Sequence, residues 1–177
     1  MRAIAHQIDR FTALAGWLAG WIILPLIMSM LWEVVSRYVF TRPTIWAYEA
    51  AYIQMGALFV LGIAYVTQTD GHVRVDLAYA NFRPRVQAIV NLLGNLLVAP
   101  LVLWLCFGLF DYLYDAWESG ERSGESAWNP IVWPFRLFFV IGFVLFALQI
   151  VAEILKSILL LSGAEEFDTN PNEKGRL

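Results

Sequence analysis

The stretch Val86–Phe110, VQAIVNLLGNLLVAPLVLWLCFGLF, runs for 25 residues without an Asp, Glu, Lys or Arg. At about 1.5 Å of rise per residue, a helix of this length covers the roughly 30 Å hydrocarbon core of a bilayer. Three further runs lie around it. On the N-terminal side, Phe11–Trp32 is also free of charge, and between Arg42 and Asp70 the only charge is Glu49. On the C-terminal side, Trp133–Leu161 carries Arg136, Glu153 and Lys156, all near its ends. Backbone N–H and C=O groups in lipid must pair within the segment, which selects helices; the alternating strands of a membrane barrel are absent. The expected fold is an all-α integral membrane protein with four transmembrane helices at about 11–35, 45–69, 86–110 and 133–161. Residues 1–162 then form one four-helix membrane domain, and the polar stretch 163–177 reads as a disordered cytoplasmic tail.

Composition points the same way. Hydrophobic residues make up 59% of the 177 and charged residues 15%, against roughly 25% charged in an ordinary soluble domain. Mean hydropathy is +0.60. A soluble protein of this size keeps a large shell in water and could not hide so much apolar surface; a lipid bilayer accepts it. The net charge of −3 gives no basic footprint for nucleic acid. Cys106 is the single cysteine, so neither an internal disulfide nor a four-thiolate metal site can form. The first apolar run exceeds the roughly 7–15 residues of a signal h-region and reads as a retained span.

Orientation follows from the basic residues. Arg2, Arg10, Arg74, Arg83, Arg85, Lys156, Lys174 and Arg176 fall on one side, and Arg37, Arg42, Arg122 and Arg136 on the other. The richer side is expected to be cytoplasmic, which places both termini inside. Trp46, Tyr112, Tyr114, Trp117, Trp128 and Trp133 cluster at the opposite boundary, where amphipathic rings sit at headgroup depth.

Several side chains could carry function. Gly16 and Gly20, four apart, offer a strip for close approach of another helix; a chance pair in a glycine-tolerant span is the alternative. Glu33 and Arg37 have the acid-first i, i+4 spacing of a helical ion pair, and charges so near hydrocarbon favour pairing. Glu49, about one turn into the second span, reads as a third interfacial pairing group, too shallow for the desolvation that a proton-carrying carboxylate requires. Gln87, Asn91 and Asn95 share one face of the third helix and suit a contact with another helix, in this chain or a partner subunit. The connection after the third span is acidic. Asp115, Glu118, Glu121 and Glu125 are candidates for docking a partner outside the cytoplasm, with a plain solvated loop as the alternative. His6 and His72 fall outside the spans, which excludes haem held by paired histidines within the membrane. No nucleophile–base set, phosphate loop or metal cluster is legible, so neither an enzyme nor a cofactor is expected.

From Arg37 onward the chain also resembles a known family. Arg37-Tyr-Val-Phe40, Trp46, Glu49, Leu61-Gly62-Ile-Ala64 and His72-Val-Arg-Val-Asp76 look like the small, Q-type (DctQ-like) membrane subunit of tripartite ATP-independent periplasmic (TRAP) transporters. The resemblance spans about Ala13–Leu161 and departs at Tyr48, Gln68 and Thr69, where many relatives carry charge. It implies an accessory subunit of the bacterial inner membrane without a binding site of its own. The large M-type subunit would carry the sodium and substrate sites, and a periplasmic solute-binding protein would deliver an organic acid. The small subunit would scaffold the large one and help seat the binding protein. Two other readings remain open on the residues alone. One is a self-sufficient homodimeric transporter, which needs a deep carboxylate. The other is a membrane anchor for a redox complex, which needs histidines or a quinone pocket within the spans.

Overall fold

The computed structural model describes residues 2–69 and 82–162, with Arg2 and Pro84 described by backbone only. Among these residues the fold is all helical: α1 (Arg2–Tyr38), α2 (Ala47–Gln68), α3 (Pro84–Ser119) and α4 (Trp133–Leu161). All four are long and apolar enough to cross a membrane. His72 and Asp76 of the family-like motif, and the 163–177 tail, lie outside the described residues.

The helices exceed the apolar runs inside them. α1 starts nine residues ahead of Phe11 and continues through Pro25, and α3 continues through Pro100. α3 has 36 residues, about 54 Å of helix, so it projects well past the hydrocarbon at one end or both. Pro84 opens α3 at its first turn, where a missing N–H costs nothing. Gly120 closes it in the left-handed conformation at φ 62°, donating its N–H to the Ala116 carbonyl.

Helices α1, α2 and α4 pack mutually, whereas α3 packs on α4 alone to any substantial extent. The core is inverted relative to a soluble protein. Eight of the eleven buried apolar residues are alanines, and Thr12, Ser29, Ser36, Glu49, Thr67, Arg136, Gln149 and Ser157 are buried with them. Large side chains such as Trp17, Met28, Leu97, Trp104 and Phe107 face outward. Lipid tails are as apolar as leucine, so small residues that let backbones approach, together with hydrogen bonds, hold membrane helices together. Gly142 on α4 is the tightest point: a β-carbon there would lie 2.3 Å from Val60 Cγ1 and 2.7 Å from the Val60 carbonyl oxygen. At Gly56 it would meet the Phe135 ring at 2.8 Å. These two glycines set how closely α2 and α4 approach.

Candidate functional site

The polar groups gather at the two ends of the bundle. At the end holding the α1–α2 and α3–α4 connections, three carboxylates each tie down a segment. Glu33 accepts from Arg37 at 2.5 Å on one oxygen and from the Thr44 backbone N–H and hydroxyl on the other. Thr44 Oγ1 in turn accepts from the Ala47 N–H as α2 starts. The Glu33–Arg37 pair thus fixes the entry to α2, with Glu33 largely shielded and Arg37 exposed.

Glu49 lies in the first turn of α2 and is only 2% exposed. Its described partners are hydroxyls and not a cation: Ser123 donates to one oxygen and Ser126, at 2.7 Å, to the other. The carboxylate therefore clamps the α3–α4 connection onto α2.

The same connection is held from the other side by Arg136, near the start of α4 and 6% exposed. Its guanidinium lies over the Tyr112 ring, 3.3 Å from ring centre to Cζ. It donates to the Tyr112 carbonyl at 2.8 Å and to Glu121 at 2.8 Å. Within the connection, the Ser123 N–H reaches the Pro130 carbonyl and the Val132 N–H the Glu121 carbonyl. The Gly124 N–H donates to the Asn129 side chain at 2.9 Å. Gly124 at φ 67° and Asn129 at φ 45° supply left-handed turns that suit glycine and asparagine. A segment that reads as acidic, solvated loop is thus an ordered strap.

Among the candidate docking residues, Asp115, Glu118 and Glu125 are exposed. Asp115 and Glu118 ride on the projecting end of α3. Glu121 differs, because it neutralises the buried Arg136; a charge change there would disturb the strap itself.

At the opposite end, α1 and α4 are joined by a network. The Thr12 hydroxyl donates to Gln149 Oε1 at 2.9 Å, and both residues are fully buried. Gln149 Nε2 donates to Asp9 and Glu153, and Lys156 bridges the same two carboxylates at 2.8 Å. Every polar atom of the Gln149 amide is thereby used, which is what tolerance of a buried amide requires.

The candidate helix contacts separate. Gly16 is used within the chain: a β-carbon would meet the Tyr65 side chain at 2.5 Å, so the glycine admits α2. Gly20 and Gly62 face open space. Trp46 precedes α2 and is partly exposed. Gln87, Asn91 and Asn95 are half-buried, on the side of α3 that also buries Ala88 and Val102. Among the described residues the only helix packed substantially on α3 is α4, so this polar face is turned inward. The opposite side carries Leu93, Leu97, Leu101, Trp104 and Phe107, between 60% and 76% exposed. It leads directly to Asp111, Asp115 and Glu118.

Sequence reasoning missed Arg136 as a structural centre, and missed Gln149, Thr12, Gly56 and Gly142. The i, i+4, i+7 spacing of Gln149, Glu153 and Lys156 was a usable signal for a polar face; nothing local marks Arg136 or Gly142.

These features define a small multi-span membrane subunit whose polar groups brace helices and connections. The family model for tripartite ATP-independent periplasmic transporters, DctQ component, matches residues 26–160, and the chain belongs to that family. The resemblance read from Arg37, Trp46, Glu49, Gly62, His72 and Asp76 is borne out by this match. The chain is therefore a small permease subunit of a TRAP transporter, a non-enzymatic, multi-pass inner-membrane component. No match to a curated protein reaches significance.

Proposed function

We propose that the chain is the accessory subunit of a sodium-coupled transporter for organic acids, scaffolding the large M-type subunit and helping to seat the periplasmic solute-binding protein. The observation that carries this is the pairing of a braced three-helix unit with an α3 whose outer side is left open. Lipid tolerates such a strip, but in a subunit of a tripartite transporter it offers the large subunit a surface of large apolar side chains. The basic-residue count supports both termini in the cytoplasm. The strap and the projecting α3 end then face the periplasm. Exposed Asp115, Glu118 and Glu125 are available there to a soluble partner, where complementary charge speeds encounter.

Reconstitution tests the assignment. Liposomes with a sodium gradient and radiolabelled dicarboxylates, 2-oxo acids or sialic acid are loaded with the chain alone, or with the large subunit and binding protein as well. Uptake is expected only with all three. Uptake by the chain alone would instead establish a self-sufficient transporter.

A further inference from the structure

A cavity of about 550 Å³ lies beneath the strap, between the start of α2, the end of α3 and the start of α4. A void of this size takes a small molecule or the anchor side chain of another protein. Its wall is apolar and aromatic, with Tyr52, Ile53, Leu109, Phe135 and Phe139. Its charge is unbalanced. Glu49, Glu121 and Glu125 line it against one cation, Arg136, and that guanidinium is already engaged by Glu121 at 2.8 Å. Glu49 has only the hydroxyls of Ser123 and Ser126 as described partners. Glu125 is exposed, and its carboxylate makes no hydrogen bond or ion pair among the described residues. Two of the lining carboxylates thus have no cation beside them among the described residues. Against an apolar wall such an imbalance attracts positive charge more strongly than it would in bulk water.

We infer that this cavity seats a lysine or arginine side chain of the large membrane subunit. The inference rests on the reading of this chain as the accessory of that subunit. The basic head lies at Glu125, within the field of Glu49, and the aliphatic stem lies along Leu109, Phe135 and Phe139. Long basic side chains have this division into apolar stem and charged tip, and membrane helices carry them near their ends. Position favours a membrane partner over a soluble one. The cavity lies under the strap, at the end of the bundle that holds Trp46, Trp128 and Trp133, rings that favour headgroup depth. A lipid fits worse, because an amine-bearing headgroup would bring its phosphate against the same carboxylates. The cavity also adjoins the outer strip of α3. Tyr112, in its lining, follows Leu101 of the strip by eleven positions, about three turns along one side of the helix. A partner helix lying on the strip thus passes the opening. Glu125 then belongs to the membrane partner, and Asp115 and Glu118 remain for the soluble one.

Photo-crosslinking in the assembled complex tests this. Tyr52, exposed in the cavity lining, and Leu97, on the outer strip, are replaced separately by the photoreactive p-benzoylphenylalanine. Native membranes are illuminated, and the attached peptides are identified by mass spectrometry. The Tyr52 probe is expected to capture a large-subunit segment with a lysine or arginine within about one helical turn of the attachment point. Capture of the large subunit at Leu97 but not at Tyr52 overturns the cavity assignment and leaves the accessory reading standing; capture at neither removes both. A large-subunit segment with no basic residue there overturns the assignment too, as does a lipid, the binding protein or a second copy of the chain at Tyr52. Charge reversal tests the pairing itself. Glu125→Lys, an exposed change, should lower recovery of the large subunit by about two- to fivefold, the range of an exposed ion pair. Reversing the captured basic residue to glutamate should restore it. Unchanged recovery, or loss without rescue, overturns the contact with Glu125.

Discussion

The three-helix unit α1–α2–α4 and the single helix α3 are built on opposite rules. The unit is held by close approach at Gly16, Gly56 and Gly142 and by polar networks at both ends. α3 is the longest apolar run of the sequence, yet it rests mainly on α4 and presents a row of large side chains outward. In a membrane, apolarity does not decide what is buried, because lipid and protein interior are alike to a leucine; size and polarity decide it. The span with the longest uncharged run is therefore the least buried, and on the proposed function it is the one that meets another protein.

The sharpest way to break the contrast is at Gly142. Gly142→Leu drives a side chain into the Val60 backbone. Overpacking by even a few methylenes costs about 1–3 kcal/mol, and a backbone clash cannot relax by rotamer change. Loss of monodisperse protein in detergent is expected, read by size-exclusion fluorescence; a well-behaved variant would show that α2 and α4 are not in close contact. Next in size is the strap. Ser123→Ala with Ser126→Ala leaves the buried Glu49 carboxylate without its described donors, a loss of about 1–3 kcal/mol. Thermal unfolding in detergent should register this, and added Glu49→Leu should recover part of it by removing the unsatisfied group. No recovery would mean that the serines act independently of Glu49.

Changes on the outer side of α3 should leave the fold alone. Leu97→Ala with Trp104→Ala removes side chains with no packing role in the three-helix unit. Stability should move by less than about 0.5 kcal/mol, the usual scale for surface positions, while co-purification with the large subunit falls. Asn91→Leu with Asn95→Leu, on the inward side, should do the reverse. It should perturb the α3–α4 contact and leave the partner strip untouched, so partner loss without destabilisation would transfer the interface to that side. The smallest structural effect is expected from Asp115→Lys with Glu118→Lys. Assembly stays intact and only binding-protein-dependent uptake drops; unchanged uptake would remove the α3 tip from the docking surface.

Much of this fold was legible in the sequence because a bilayer imposes one dominant constraint. Runs such as Val86–Phe110 cannot be anything but spans, and the ordered set Arg37, Trp46, Glu49, Gly62 and His72-Val-Arg-Val-Asp76 pointed to the family. The extent of the helices was less legible. The ends of α1 and α3 continue through polar residues, Arg2–Arg10 and Asp111–Ser119, where helix and loop cost little differently in water. Partners were least legible, because they depend on long-range geometry. Glu49 finds Ser123 and Ser126 more than seventy positions away, and Glu121 finds Arg136 across the strap. A Ser-Gly-Glu composition carries no trace of such a clamp. Gly142 is silent for the same reason: a lone glycine in a span declares close packing only once Val60 is placed against it.

The most direct test of the central claim is stoichiometric. The tagged chain is drawn from its native membrane in gentle detergent, and what accompanies it is identified and counted by mass spectrometry. An accessory subunit predicts a large multi-span membrane protein at one copy per chain, lost when Leu97 and Trp104 are truncated. A chain recovered alone, or paired only with itself, would contradict the account and return attention to Glu33 and Glu49 as groups with a transport role of their own.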